Sequence, residues 1–252
     1  MSSKPQKSVL VTGGSRGIGA AVCLQAAKAG YRVAVNYAAN VEAADKIVAA
    51  IRNDGGDALA IRGDVGSEPD VLAMFDLIDH QFGPLDALVN NAGVVDAKAR
   101  IDEMELARLE RMFRVNVIGS ILCAREAVRR MSTRHGGKGG AIVNVSSVAA
   151  VLGSAGEYVD YAAAKGAIDT FTVGLAREVA AEGVRVNAVR PGITDTEIHA
   201  SGGQPDRAER LKGFVPMQRP GTADEIASAI LHLLSDAASY TTGAILNVTG
   251  GR

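Results

Sequence analysis

The sequence predicts a doubly wound α/β fold, in which a seven-stranded parallel sheet lies between two layers of helices. Short runs rich in Val, Ile, Ala and Leu alternate with longer segments whose apolar residues recur every three or four positions, which is typical of alternating strands and helices. Most of the short runs are apolar throughout, as expected of parallel strands covered on both faces. Because the 252 residues contain no Pro- or Ser-rich linker and no repeat, we interpret residues 1–252 as a single domain.

The individual elements follow from these two patterns. The predicted strands are Ser8–Val11, Arg32–Asn36, Ala58–Arg62, Leu85–Asn90, Ala141–Val145, Arg185–Val189 and Ala244–Val248. The predicted helices are Gly17–Ala29, Val41–Asn53, Glu68–Gln81, Glu103–Arg134, Tyr161–Ala181 and Ala223–Leu234. The irregular stretch from Thr194 to Pro220 is longer than an ordinary connection, so we expect residues 194–220 to form a lid.

Composition excludes several classes of function. The chain has 27 Lys and Arg against 28 Asp and Glu, so it lacks the excess of positive charge that holds nucleic acid. Polar residues break every apolar run before it could cross a bilayer, and the polar N-terminus does not resemble a secretory signal. We therefore expect a cytoplasmic protein with no membrane or nucleic-acid partner. Cys23 and Cys123 lie singly in apolar helical patterns, so we expect packed thiols and no metal site.

The first predicted strand leads into a glycine-rich turn, which we call the phosphate turn (residues 12–19, Thr-Gly-Gly-Ser-Arg-Gly-Ile-Gly). A strand, a glycine-rich turn and a helix start in this order present free N–H groups and the positive end of a helix dipole to a phosphate. Such glycines often serve turn geometry alone, but this context favours a dinucleotide site. The predicted contacts are Gly13, Ser15, Arg16, Gly17, Ile18 and Gly19.

The end of the second strand bears on which dinucleotide binds. NAD-binding sheets of this kind usually place an acid there, against the ribose 2′-hydroxyl, whereas this chain has Asn36-Tyr37-Ala38. Arg16 could supply a cation to a 2′-phosphate in the same region, although it could also be an ordinary solvated residue. We expect NADP(H) to be favoured over NAD(H), with Asn36 and Tyr37 beside it.

Polar residues also follow the other strands at their carboxyl ends, which is where an open parallel sheet binds ligands. They are Asp64-Val65, Asn90-Asn91-Ala92-Gly93 and Ser146-Ser147. Farther along, Tyr161 and Lys165 stand four residues apart and so share one helix face. A Lys ammonium near a phenol favours the phenolate, so we expect Lys165 to lower the pKa of Tyr161 and make it a usable acid or base.

Together these motifs resemble the short-chain dehydrogenase/reductase family, from Ser8 to Gly251. The resemblance rests on Thr-Gly-x-x-x-Gly-x-Gly at 12–19, Asn-Asn-Ala-Gly at 90–93, Tyr-x-x-x-Lys at 161–165 and Pro191-Gly192 after the sixth strand. It implies a three-layer Rossmann fold and oxidoreduction of an alcohol or ketone by hydride transfer. It also implies a homotetramer, because the family pairs its two long helices between subunits and both carry many apolar positions here.

The resemblance also implies roles for individual residues. Tyr161 would move the substrate proton, Ser147 would hydrogen-bond the reacting oxygen, and Lys165 would hold the nicotinamide ribose. Asn116 would hold a water that links Lys165 to solvent. The remaining implied contacts are Asp64 and Val65 with the adenine, Asn91, Ala92 and Gly93 with its ribose, and Pro191, Gly192, Ile193, Thr194 and Thr196 with the carboxamide and phosphates.

Two points in this alignment stay open. Ser147 fits the family pattern best, although it stands one residue farther from Tyr161 than usual, and Ser146 is the other candidate. The extra residue is expected in the segment 153–160, which we call the substrate loop. Its Glu157, Tyr158 and Asp160 could contact a polyhydroxylated or charged substrate, or could be solvated.

The overall resemblance is to 3-oxoacyl-carrier-protein reductases and to sugar or polyol dehydrogenases. Arg134 stands where a carrier-binding base is expected, but Glu182 stands where a second would be, and a carboxylate disfavours an acidic partner. The favoured substrate is a small ketone or sugar-like alcohol. A non-catalytic dinucleotide sensor is a further alternative, which the presence of Asn116, Ser147, Tyr161 and Lys165 disfavours.

Overall fold

The computed structural model describes residues 6–252, apart from the side chain of His199. Within these residues the chain forms a seven-stranded sheet in the order β3-β2-β1-β4-β5-β6-β7, and every pairing is parallel. The strands are β1 Ser8–Val11, β2 Arg32–Tyr37, β3 Ala58–Arg62, β4 Ala87–Asn90, β5 Gly140–Val145, β6 Val184–Pro191 and β7 Ile245–Val248. The predicted fold class is confirmed.

Helices cover both faces of the sheet. They are α1 Gly17–Lys28, α2 Val41–Asn53, α3 Glu68–Phe82, α4 Leu106–Phe113, α5 Gly119–Met131, α6 Ala149–Leu152, α7 Val159–Val179, α8 Ile198–Ser201, α9 Arg207–Leu211 and α10 Ala223–Leu234. The strands are apolar because they carry two cores: on β1, Val9 and Val11 pack into one cluster and Leu10 packs into the other. Alternate side chains of a strand point to opposite faces, so both faces must be apolar.

The continuous helix predicted over Glu103–Arg134 is wrong. A π-helical turn over Arg114–Ile118 separates α4 from α5, and short 3-10 turns lie at either end of this region. The side chain of Asn116 donates to the carbonyl of Met112 four residues earlier, at 2.9 Å. That carbonyl is the ordinary acceptor for the backbone N–H of an α-helix at this point, and π-turns of this kind often occur at functional sites.

The two cysteines lie in different cores. Cys23 packs into the cluster with Val9, and Cys123 packs into the cluster with Leu10, so the sheet separates the two thiols. Burial raises the pKa of both thiols. Both thiols are therefore packed and chemically unreactive. Of the helices between residues 6 and 252, none combines the length and the apolar character that a bilayer crossing requires.

Candidate active site

The carboxyl ends of β1, β4, β5 and β6 surround a cavity of about 360 Å³. β1 and β4 are neighbours although they are distant in sequence, which makes this the switch point where such sheets bind ligands. The cavity brings together many of the predicted site residues: Ile18, Asn91, Gly93, Ser146, Ser147, Tyr161, Lys165, Pro191, Gly192, Ile193, Thr194 and Thr196. The other predicted site residues do not line it.

The phosphate turn has the geometry of an anion cradle. Gly13 and Gly17 adopt φ values of +61° and +52°, and a Cβ on Gly19 would stand 2.3 Å from the carbonyl oxygen of Gly13. Only glycine tolerates such conformations and so close an approach. Side chains cap the starts of α2, α3 and α10, whereas in the described chain no side chain caps α1. The first N–H groups of α1 are therefore available to a phosphate.

The turn is fixed by residues of neighbouring strand ends. The amide of Asn91 donates to the carbonyl oxygens of Thr12 and Gly13, at 2.9 and 3.0 Å. The hydroxyl oxygen of Thr12 accepts from the N–H groups of Asn91 and Ala92, both at 3.0 Å. Thr12 is part of the predicted phosphate turn, but the sequence predicts no contact for its side chain. These bonds lock the end of β1 to the end of β4.

Asn36 differs from its expected role. Its side chain is buried, its Oδ1 accepts from the N–H of Gly13 at 3.1 Å, and its Nδ2 donates to the carbonyl of Gly63 at 3.0 Å. Because protein groups engage both ends of this amide, Asn36 braces the phosphate turn and does not present its side chain to a cofactor. Tyr37, the next residue, is partly exposed.

Arg16 stands exposed at the start of α1, and it forms no ion pair within the part of the chain that the structure describes. Asp64 lies at the end of β3, where its carboxylate pairs with Arg114 at 2.9 Å and remains 41% exposed. Val65 is buried against the backbone position of Gly119. Arg16 and Asp64 can therefore both meet solvent or a ligand.

The two serines have different surroundings. Ser146 is buried, and its hydroxyl donates to the carbonyl of Lys165 at 3.3 Å. The Ser147 hydroxyl lies close enough to the Tyr161 phenol to oppose the rise in its pKa, and its Oγ accepts from the N–H of Ala149 at 3.1 Å. Ser147 is thus the serine whose hydroxyl meets the tyrosine.

The ionisation of Tyr161 and Lys165 is governed by burial. Burial raises the pKa of Tyr161 to about 12, against an opposing contribution from the Ser147 hydrogen bond. The Lys165 ammonium lies 5.6 Å from the centre of the tyrosine ring, and the expected lowering of the tyrosine pKa is not found. Burial also lowers the pKa of Lys165 to about 8, against an opposing contribution from Asp169. At both groups desolvation exceeds the opposing contribution, which comes from the Ser147 hydroxyl at Tyr161 and from the Asp169 charge at Lys165.

Lys165 and Asn116 hold the floor of the site. The ammonium of Lys165 donates to the carbonyl of Val145 at 2.7 Å. Asn116 is fully buried, and its amide clamps Val94 by accepting from the N–H at 3.1 Å and donating to the carbonyl at 3.0 Å. A Cβ on Gly93 would stand 2.8 Å from Oδ1 of Asn116 and 3.7 Å from Nζ of Lys165. The side chain of Asn116 therefore positions the backbone beside Lys165, and the water expected to link Lys165 to solvent stays a prediction.

The segment after β6 closes the site from the other side. A Cβ on Gly192 would stand 2.7 Å from the Cα of Thr249, so the two backbones touch. Thr194 is buried and bridges to Gly221, at the far end of the predicted lid. Thr196 lies against Gly17 of the phosphate turn. The ends of the segment 194–220, which we call the lid segment, are thereby held beside both the turn and the cavity.

The substrate loop contributes Glu157 and Tyr158 to the cavity wall, but not Asp160. Asp160 is buried and accepts two hydrogen bonds from Arg108, at 2.8 and 3.2 Å. It is therefore neither a solvated residue nor a substrate contact. The sequence analysis also missed Arg207 of the lid segment, which lines the cavity and pairs with Glu157 at 2.7 Å.

Comparisons with known proteins agree with this arrangement. A family model described as enoyl-(acyl carrier protein) reductase matches residues 13–252. The chain is 55% identical to an uncharacterized oxidoreductase, YgfF, of Escherichia coli (strain K12), over 96% of this chain and 98% of that protein. It is 40% identical to the cis-4-hydroxycyclohexanecarboxylate dehydrogenase of Sinomonas cyclohexanicum, over 98% of this chain and 96% of that protein.

Among solved structures, a short chain dehydrogenase from Burkholderia cenocepacia J2315 in complex with NADP superposes with a TM-score of 0.89. The two are 34% identical, and the match covers 97% of each chain. The chain belongs to the short-chain dehydrogenase/reductase family. It is an oxidoreductase of the class that acts on alcohol and ketone groups with a nicotinamide cofactor.

Proposed function

We propose that this protein is an NADP(H)-dependent oxidoreductase of small ketones or sugar-like alcohols, with Tyr161 as the acid/base. The observation that carries the proposal is that Tyr161 and Ser147 line one cavity with buried Lys165, beside a helix start that no side chain caps. A bound nicotinamide would supply or accept the hydride. Tyr161 would donate the proton to the substrate oxygen, and Ser147 would hydrogen-bond the same oxygen.

The ionisation of the site supports proton donation by Tyr161. With its pKa raised to about 12, the phenol is protonated at neutral pH and ready to act as an acid in reduction. The nearby ammonium of Lys165, with a pKa lowered to about 8, can restore a proton to the site at physiological pH. General acid catalysis by one positioned group contributes roughly 10² to 10⁴-fold to a rate.

Two observations favour NADP(H) over NAD(H). Arg16 is exposed beside the phosphate turn, and the end of β2 carries Asn36 and Tyr37 in place of a carboxylate. In addition, the Burkholderia relative was solved in complex with NADP. The residues that would hold the dinucleotide are those of the phosphate turn, Asp64 and Val65, residues 91–93, Lys165, and residues 191–196.

A small molecule is favoured over a substrate on acyl carrier protein. Arg134 is the candidate base for an acidic carrier, but Glu182 lies 3.9 Å from it and partly neutralises its charge. A cavity of about 360 Å³ is at the small end of ligand pockets. The Sinomonas relative acts on a hydroxyl of a small ring. Cyclic ketones are therefore suitable first substrates.

The test is NADPH oxidation, followed by absorbance, over a panel of small aliphatic, cyclic and sugar-derived ketones. We expect turnover on part of the panel, and we expect Tyr161→Phe to lower kcat at least about 10³-fold with little change in NADPH affinity, because only one hydroxyl is lost. NADPH binding without turnover on any ketone would favour the sensor alternative. Full activity in Tyr161→Phe would remove the acid/base assignment.

The protein is also proposed to be a homotetramer. The region from α4 through the π-helical turn into α5 leaves large apolar side chains exposed: Leu106, Phe113, Ile118 and Ile121. Exposed apolar side chains typically mark an interface between subunits where they form a patch. Light scattering at micromolar concentration is expected to give four times the mass of the chain, and a monomeric mass would contradict the proposal.

A further inference from the structure

Arg207 is the feature of the cavity wall that the proposed reaction leaves unexplained. Its side chain is only 13% exposed, although it comes from the lid segment, and it lines the same cavity as Ser147 and Tyr161. The guanidinium pairs with Glu157 through Nη2 at 2.7 Å and lies 5.1 Å from the ring centre of Tyr158. The lid segment thus places a positively charged side chain in the wall of the cavity.

One donor group of Arg207 is unused. Its Nη1 is buried, and it has no hydrogen-bond partner among the described residues. A buried donor of a charged group without an acceptor is costly, because water has been removed and nothing replaces it. Because Arg207 lines the cavity, we expect a rotation of its guanidinium to be needed before Nη1 can meet an oxygen atom that enters there.

The carboxylate of Glu157 does not fully neutralise the positive charge around Arg207. Arg207 pairs with Glu157, and the charges of Lys98 and Arg210 also help to lower the pKa of that carboxyl. Arg210 has a second acidic neighbour, Asp206, at 3.8 Å. Among the described residues, this cluster therefore holds three cations against two carboxylates, and an added anion would balance it.

The rest of the cavity favours an apolar body for the substrate. Its wall includes Val95, Val148, Ala149, Leu152, Ala155 and Ile198. A molecule that fits these surroundings has a reactive oxygen for Ser147 and Tyr161, an apolar ring or chain, and an acceptor for Arg207. Carboxylates are the acceptors that the planar fork of an arginine matches best.

We propose that Arg207 receives a carboxylate of the substrate, so that the preferred substrates are small oxo acids or hydroxy acids with an apolar body. This inference rests on the proposed function and names its substrate class. It assigns to Arg207 the choice of substrate, and it leaves hydride and proton transfer to the residues described above.

The test compares oxo acids with their methyl esters, which keep the ketone and the apolar body but lose the charge. Suitable pairs are 4-oxocyclohexanecarboxylate and linear oxo acids of increasing length, each with its ester. We expect wild type to prefer the acids. Arg207→Gln should lower kcat/KM for the preferred acid about 10- to 100-fold, the usual size of a hydrogen bond to a charged group, and change the ester less than about threefold.

Two further variants separate recognition from structure. Lys212→Gln removes a positive charge from the same lid segment, where Lys212 is exposed and paired with Glu209, and it should leave the preference for acids unchanged. Glu157→Gln removes the competing carboxylate, and it should raise kcat/KM for acids several-fold without raising that for esters. Equal losses on acids and esters in Arg207→Gln would make Arg207 a purely structural link between the lid segment and the substrate loop, and would overturn the proposal.

A binding measurement keeps the inference independent of turnover. Calorimetric titration of the protein with NADPH present should detect cyclohexanecarboxylate, which has no ketone, and should show at least tenfold weaker binding of its methyl ester. This difference in affinity should disappear in Arg207→Gln. If Arg207→Gln does not fold, Glu157→Gln provides the test, and its preference for the acid over the ester should be larger than that of wild type. Equal binding of acid and ester by wild type would overturn the role of Arg207, whereas acid-selective binding without any ketone reduction would overturn only the proposed reaction.

Discussion

The two sides of the cavity are held together by different interactions. On the nucleotide side, neutral hydrogen bonds from Thr12, Asn36 and Asn91 fix the phosphate turn to the ends of neighbouring strands. On the substrate side, ion pairs join distant segments: Arg207 to Glu157, and Arg108 to Asp160. The nucleotide side therefore offers backbone groups to a ligand, whereas the substrate side offers charged side chains. This division suits a common cofactor and a substrate that varies between relatives.

The two ion pairs on the substrate side differ in how deeply they are buried. The carboxylate of Asp160 is completely buried, and the side chain of Arg108 is only 11% exposed. Breaking such a pair by removing one partner costs about 3–5 kcal/mol, because the other charge remains buried. The substrate loop is therefore fixed at Asp160, while Glu157, at 30% side-chain exposure, pairs with Arg207 at a partly exposed position.

After the loss expected in Tyr161→Phe, the largest effect is expected where the two sides meet, at the adjacent serines. Ser147→Ala removes the hydroxyl that lines the cavity beside the Tyr161 phenol and should lower kcat about 10²- to 10³-fold, as loss of one positioned donor does elsewhere. Ser146→Ala removes only the bond to the Lys165 carbonyl, so it serves as the matched control and should cost less than tenfold. Steady-state rates at saturating NADPH decide between them. A larger loss at Ser146 would move the serine role by one position.

The next effect probes the nucleotide side alone. Arg16→Glu places a carboxylate beside the proposed 2′-phosphate, and it should lower the ratio of NADPH to NADH affinity about 10- to 100-fold through loss of a charge-assisted hydrogen bond and added repulsion. Lys28→Glu makes the same charge change at the far end of α1, where the residue is exposed, and should leave the ratio unchanged. Fluorescence titration with both nucleotides measures the ratio. An unchanged ratio of NADPH to NADH affinity in Arg16→Glu would show that Arg16 does not bind the 2′-phosphate.

The sequence predicted the nucleotide side better than the substrate side. The glycines of the phosphate turn and the residues after each strand are recognisable because backbone geometry demands them at fixed spacing. Asn36 illustrates the limit, since a strand-end position does not reveal that the side chain turns inward to Gly13. Arg207 and Asp160 could not be paired with their partners because the partners lie about 50 residues away or more, and no local pattern encodes such contacts.

The continuous helix predicted between Glu103 and Arg134 failed for a related reason. Apolar spacing there is compatible with an unbroken helix, but the Asn116 amide takes the carbonyl of Met112 and the N–H and carbonyl of Val94. Competition between a side chain and the backbone depends on the tertiary position of Val94. The lowering of the Tyr161 pKa was likewise argued from one neighbour, whereas burial of the whole site determines its direction.

The smallest expected effect concerns Lys165, which lies on the boundary between the two sides. Burial holds its pKa at about 8, so the free protein loses this proton as pH rises through about 8. If the protonated ammonium holds the nicotinamide ribose, NADPH binds the protonated form better, and affinity should fall severalfold between about pH 7 and about pH 9, because a charge-assisted hydrogen bond becomes a neutral one. Lys165→Met should bind NADPH more weakly at pH 7 and show a flat profile over this range. Titration of wild type and Lys165→Met with NADPH at each pH measures this dependence. A decline of equal size in Lys165→Met would assign the pH dependence to another group. Lys165 would then be a structural residue that donates a hydrogen bond to the Val145 carbonyl.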